Sequence, residues 1–230
     1  MTTAFHQVLA QCPVCLNEEE LTIWDVIDVS TDPDLKEKLL RKTLQSLECR
    51  NCGTSTLIAA PLIYRDPEHH VLIECRPELG PDDLLARVQD LRSAGPTLWP
   101  LSAEEKPFRR LVSSINDLIE KILVSDQGLD DRALEIVKLA VINHNAQETP
   151  IEELRLVGVA QAELNFVMKL EDGWFQYQLP LDAYHNAEMI LEQTRDKLTD
   201  DPSAFALIDR DYAARILDHF TTAMSGPEGL

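Results

Sequence analysis

No run of the chain approaches the roughly 18 consecutive apolar residues that a membrane helix requires, which points away from an integral membrane protein. The opening stretch "MTTAFHQVLA" has neither a basic start nor an apolar segment of export-signal length, so the expected compartment is the cytoplasm. Positive charge is scarce: 21 Lys and Arg stand against 40 Asp and Glu, a formal net charge of −19. The deficit is spread along the chain, with 7 basic and 13 acidic residues in 1–79 and 14 and 27 in the remainder. Such a surface disfavours nucleic acid and anionic membranes, because both are bound through clustered Lys and Arg. The nearest basic cluster, Lys36, Lys38, Arg41 and Lys42, is interrupted by Glu37 and reads as one solvated helix face. Signatures of catalysis are missing as well: there is no Gly-rich phosphate loop, no G-x-S-x-G and no H-E-x-x-H.

Cysteine is sparse, five in 230 residues, yet four of the five come in pairs. Cys12-Pro-Val-Cys15 and Cys49-Arg-Asn-Cys52 each place two thiols at the spacing that lets both reach one tetrahedral ion. In a reducing compartment this arrangement favours a metal over disulfides. The expectation is a closed site with one structural Zn²⁺ on Cys12, Cys15, Cys49 and Cys52. The 33 residues between the pairs exceed the usual spacing of about 15 to 20, and an inserted strand and helix account for the excess. Gly53 supplies the positive φ wanted after the second pair, whereas Leu16 takes that place in the first.

A redox dithiol is the competing reading. It needs a strand leading into a helix at the first cysteine, and no strand of useful length is expected before Cys12. Glu18, Glu19 and Glu20 behind the pair also disfavour a thiolate. With four thiolate ligands a zinc ion has no open position for water or substrate, so Lewis-acid catalysis is not expected. Cys75 alternates with Val71 and Ile73 and reads as a buried apolar residue; His69 and His70 read as turn residues. Trp24, Trp99 and Trp174 read as core or hinge positions.

The patterning predicts an α+β protein. Residues 1–79 form a zinc-ribbon-like β unit with an inserted helix that starts near Asp32-Pro33. "TSTLIAAPLIYRD" and "HVLIECRP" read as strands joined at Asp66-Pro67. Residues 80–103 read as a linker carrying a short helix. From Glu104 onward, Phe108, Leu111, Val112, Ile115, Leu118, Ile119, Ile122 and Leu123 recur at helical spacing. They predict the first arm of an antiparallel helical hairpin, capped by Gly128 and followed by a helix with Asp130 or Asp131 at its start. Three alternating segments then predict a three-stranded antiparallel sheet with a turn at Asp172-Gly173. Two C-terminal helices close the 104–230 region.

The two cysteine pairs, "IWDVIDVSTDPDLKEKLL" between them and "PLIYRDPE" after them resemble the bacterial CpXC-domain family over roughly residues 8–125. The resemblance implies a paired metal site at the same four cysteines and implies no activity. The second pair lacks the proline of the first, so the naming motif is half kept. The sequence therefore favours a non-enzymatic, zinc-stabilised interaction module: an adaptor or assembly subunit for a protein partner, with homo-oligomerisation open. The alternatives are an enzyme of unrecognised type using carboxylates such as Asp25, Asp28 or Glu171, and a nucleic-acid-associated zinc ribbon.

Overall fold

The computed structural model describes residues 2–94, 108–146, 149–197 and 204–224. Trp99, the expected stop at Gly95-Pro96 and the C-terminal "SGPEGL" lie outside them. The chain divides into two compact units, Met1–Ile119 with Pro202–Leu207, and Glu120–Asp201 with Ile208–Leu230.

In the first unit a five-stranded mixed sheet runs in the order β1 (Ala4–Gln11), β2 (Glu18–Asp28), β5 (Leu62–Asp66), β6 (Val71–Cys75), β7 (Phe108–Val112). β1 and β2 form an antiparallel hairpin, and β2 continues beyond it to pair in parallel with β5 through Val26–Asp28. The hairpin β5–β6 follows, and β7 adds in parallel to β6. Every residue of β6 is buried, Cys75 included. A second, two-stranded ladder joins β3 (Ser46–Glu48) to β4 (Ser55–Leu57). Between the two hairpins sits α1 (Asp34–Leu40), which buries Leu35 and Leu39. Pro33 already has helical dihedrals, and no side chain caps this helix. Asp32, expected as the cap, instead accepts a hydrogen bond from the Thr31 hydroxyl.

Two expectations fail here for physical reasons. The helix expected from Glu104 begins only with α3 (Ile115–Asp126), because Phe108–Val112 is taken up as a strand by the fully buried β6 beside it. Ser114 marks the break: its hydroxyl accepts from the Asp117 N–H at 3.0 Å and donates to that carboxylate at 2.6 Å. Nor is 80–103 a linker over its described part. α2 (Pro81–Ala94) packs Leu84 and Val88 on Leu111, and its Arg87 forms a two-pronged ion pair with buried Glu74 of β6. The segment around Phe205 also returns to this unit, where Phe205 packs on Leu72 and Leu91.

The second unit holds the antiparallel sheet as expected, in the order β10 (Gly173–Pro180), β9 (Glu163–Leu170), β8 (Glu153–Ala160). Leu154, Leu156, Leu164 and Phe166 are buried on one face. α4 (Asp131–Asn145), α5 (Asp182–Thr194) and α6 (Arg210–Met224) pack on one another. Gly128, at φ 67°, ends α3 while the Leu129 N–H returns to the Val124 carbonyl, and Asp130 caps α4 through the Arg132 N–H. Trp174 is not a core residue: it is 51% exposed, with the Arg155 guanidinium 5.1 Å from its ring centre.

This core also carries charge. Lys121 of α3 meets Asp131 at 3.0 Å, Glu135 at 3.2 Å and the Ile208 carbonyl at 2.9 Å. Lys138 of α4 meets Glu120 at 2.8 Å and Glu135 at 3.1 Å. The second oxygen of Glu120 accepts the Leu156 N–H at 2.6 Å, which ties the network to β8.

Candidate metal centre

Each cysteine pair lies at the tip of a hairpin, the first between β1 and β2, the second between β3 and β4. The strand β1 does precede Cys12, contrary to expectation. It is an edge strand with apolar residues on both faces, which hides its alternation. The redox reading gains nothing from it, because the chain after Cys12 turns back on itself and starts no helix.

The two tips fold alike. The Cys12 N–H bonds the Asn17 carbonyl at 2.9 Å and the Leu16 N–H bonds the Cys12 carbonyl at 2.9 Å. In the second tip the Cys49 N–H bonds the Thr54 carbonyl at 2.9 Å and the Gly53 N–H bonds the Cys49 carbonyl at 2.8 Å. This turn forces a positive φ after the second cysteine, 72° at Gly53 and 61° at Leu16. A leucine pays for that conformation with roughly 1–2 kcal/mol of backbone strain. Leu16 is exposed and makes no compensating core contact. Leu16→Gly is therefore expected to raise the stability of the first unit by about 1 kcal/mol, read as a higher denaturant midpoint at unchanged metal content.

The four sulfurs converge. Cys12 and Cys52 are 3.6 Å apart, Cys15 and Cys49 3.4 Å, and all four lie within 4.8 Å of one another. A tetrahedron with metal–sulfur bonds of ~2.3 Å has edges of roughly 3.8 Å, so one ion fits among them. None of the four is in a disulfide. Cys12 and Cys49 are buried in a small core with Leu21, Ile23 and Leu47, on which Val8, Ala10 and Ile58 also pack.

The surroundings favour thiolates unevenly. The Asn51 side chain, then the Asn17 N–H, hold the Cys15 thiol below its usual range. The Thr54 hydroxyl and N–H bring Cys52 down to about 6. At Cys49 the Cys52 N–H favours the thiolate, but burial and the neighbouring sulfurs outweigh it and push the thiol up to about 12. A bound cation favours the thiolate form of the sulfurs that ligate it.

In the sequence Glu19 belongs to an acidic run that disfavours a thiolate. Its carboxylate instead accepts the Asn17 amide at 2.8 Å and the Arg50 N–H at 2.9 Å, bracing one hairpin tip against the other. Nothing in the residue types alone separates Glu19 from Glu18 and Glu20; only the alternation of β2, which turns Glu19 inward, does so. Cys75 lies apart from the four, its thiol pushed up to about 12 by burial. His69 is more than a turn residue, since its Nδ1 lies 2.9 Å from buried Asp66. Of the three carboxylates named as catalytic alternatives, Asp28 is buried against Arg65 and Ser30 and Asp25 pairs with His6, while Glu171 lies exposed in a turn of the second unit.

Two hairpins, each tipped by a Cys-x-x-Cys turn and facing each other across four sulfurs, define a protein of the zinc-ribbon type. Here the ribbon is built into the edge of a larger mixed sheet. The chain belongs to the CpXC protein family, whose sequence signature matches residues 10–138, from the end of β1 into α4. No curated protein and no solved structure matches it. Among the described residues no helix is long and apolar enough to cross a membrane.

Proposed function

We propose that the chain is a non-enzymatic protein-interaction module of the cytoplasm, an adaptor or assembly subunit. One structural Zn²⁺ on Cys12, Cys15, Cys49 and Cys52 holds its ribbon in shape. Four sulfur ligands close the coordination sphere, so the ion would carry folding free energy and leave no site for a substrate.

The observation that carries the reading is the outward face of the ribbon. β1 turns Val8 and Ala10 toward the small core, while Phe5 and Leu9 face solvent, the latter 73% exposed. Val14 and Leu16 at the hairpin tip are exposed as well. Large apolar side chains gathered on one exposed hairpin suit a protein contact. The net charge of −19 weighs against a nucleic-acid backbone as the partner.

Two measurements test this. Elemental analysis of the purified chain should give one zinc per molecule. Affinity capture of the full chain from its native cells, with mass spectrometry, should recover a specific protein that a Leu9→Glu, Val14→Glu variant fails to recover. Identical recoveries for the two forms would remove the ribbon face from the proposal.

A further inference from the structure

The free edge of the second sheet points to a self-association site. β10 ends the sheet, and its eight residues, Gly-Trp-Phe-Gln-Tyr-Gln-Leu-Pro, include no charged side chain in a chain of net charge −19. The opposite edge, β8, carries Glu153 and Arg155 and a register break between Leu156 and Gly158, features that discourage a further strand. β10 pairs with β9 over its whole length without a break and keeps only a terminal proline. Trp174 and Phe175 are 51% and 42% exposed on it, and Gln176 and Gln178 are exposed too.

The hydrogen-bond phase of the sheet fixes which main-chain groups are free. The Lys169 carbonyl accepts from the Glu152 N–H, on the β8 side, and the Leu181 N–H donates to the Ala162 carbonyl. With alternating pairs, Phe175, Tyr177 and Leu179 bond to β9, and the main chain of Trp174, Gln176 and Gln178 faces the open edge.

We propose that this edge pairs with the same edge of a second copy, antiparallel about a two-fold axis at Tyr177, to make a continuous six-stranded sheet. The strand is chemically self-complementary about that residue. Gln176 falls opposite Gln178 of the other copy, Phe175 opposite Leu179, and Trp174 opposite Pro180. The phase agrees: Gln176 and Gln178 both present free N–H and C=O groups outward, so they meet as a hydrogen-bonded pair, and Pro180, which has no N–H to give, still offers its carbonyl. Two acidic chains repel over most of their surfaces, and here neutral faces neutral, while a basic foreign strand would find no counter-charge on β10. The site is independent of the ribbon, its metal and the partner proposed for it.

The test uses the full chain and sedimentation velocity across the micromolar range. The wild type should sediment as a dimer. The double change Gln176→Glu with Gln178→Glu sets carboxylates directly opposite each other across the axis and should weaken the dimer roughly tenfold or more. The double change Gln176→Lys with Gln178→Glu sets opposite charges at the same places and should restore it. Circular dichroism of each form checks that the fold is kept. Gln176→Pro, which removes an outward N–H without touching the β9 ladder, should also dissociate the dimer. A wild type that stays monomeric overturns the proposal. So does a dimer that survives the carboxylate pair and the proline, or a charge-swapped form that stays as weak as the carboxylate one.

Discussion

Cys49→Ser is expected to abolish metal binding and to destabilise the first unit by ~3 kcal/mol or more. Serine is not a useful ligand for a soft divalent ion, so the site falls to three sulfurs. The new hydroxyl also sits beside Leu21, Ile23 and Leu47, where it has no apolar fit. Cys12→Ser should behave alike, since Cys12 shares that core. Cys75→Ser provides the contrast. Cys75 is equally buried but stands apart from the four sulfurs, so its loss should cost about 1–3 kcal/mol with full metal retained. Elemental analysis and thermal unfolding of the three variants separate ligand from core residue, and a Cys49→Ser protein with undiminished metal would sink the assignment. Metal uptake should also release protons, because the free site keeps Cys49 protonated at neutral pH, its thiol at about 12. Calorimetry in buffers of differing ionisation enthalpy reads that release directly.

The ribbon was legible in the sequence because its information is local. A cysteine spacing encodes each hairpin tip, Gly53 marks the second, and the inserted helix could be read from Pro33 and the leucines that follow it. Even the departure at Leu16 was visible, since the turn demands a positive φ whatever residue stands there. What escaped was non-local. Phe108–Val112 satisfies helical spacing when read with Ile115, and only the buried β6 beside it makes it a strand. β1 hides its period behind apolar residues on both faces. The turn between β8 and β9 puts Gln161 and Ala162 at positive φ with no glycine or asparagine to announce it. Glu19 and Glu120 show the same limit for charge. Both are glutamates in acidic or mixed surroundings, and their partners, Arg50 and Leu156, lie 31 and 36 residues away.

Lys121→Met should be the most damaging single change in the second unit, at about 3–5 kcal/mol, because it leaves Asp131 and Glu135 buried without their shared cation. Glu120→Gln should cost far less and should alter the pH dependence. Burial pushes the Glu120 carboxyl up against the pull of Lys138, and burial likewise raises Asp209. A carboxyl raised on folding stabilises fully below its unfolded value and loses that contribution as pH rises through the folded one. The second unit should therefore gain stability as pH falls toward the ordinary carboxylate range, and Glu120→Gln should flatten the gain. The first unit runs the other way. At Asp28 burial is outweighed by Ser30 and Arg65, and at Asp66 by Lys36 and His69, so both carboxyls are held down. Their contribution is present above the unfolded value and is lost as pH falls below about 4. Hydrogen exchange followed separately in β9 and β6, and corrected for the intrinsic chemical rate, should show protection in β9 rising on mild acidification. Protection in β6 should fall only in stronger acid. Parallel responses in the two strands, or a Glu120→Gln profile that matches the wild type, would show that the buried network titrates as an ordinary surface and does not set the acid response of the unit it holds together.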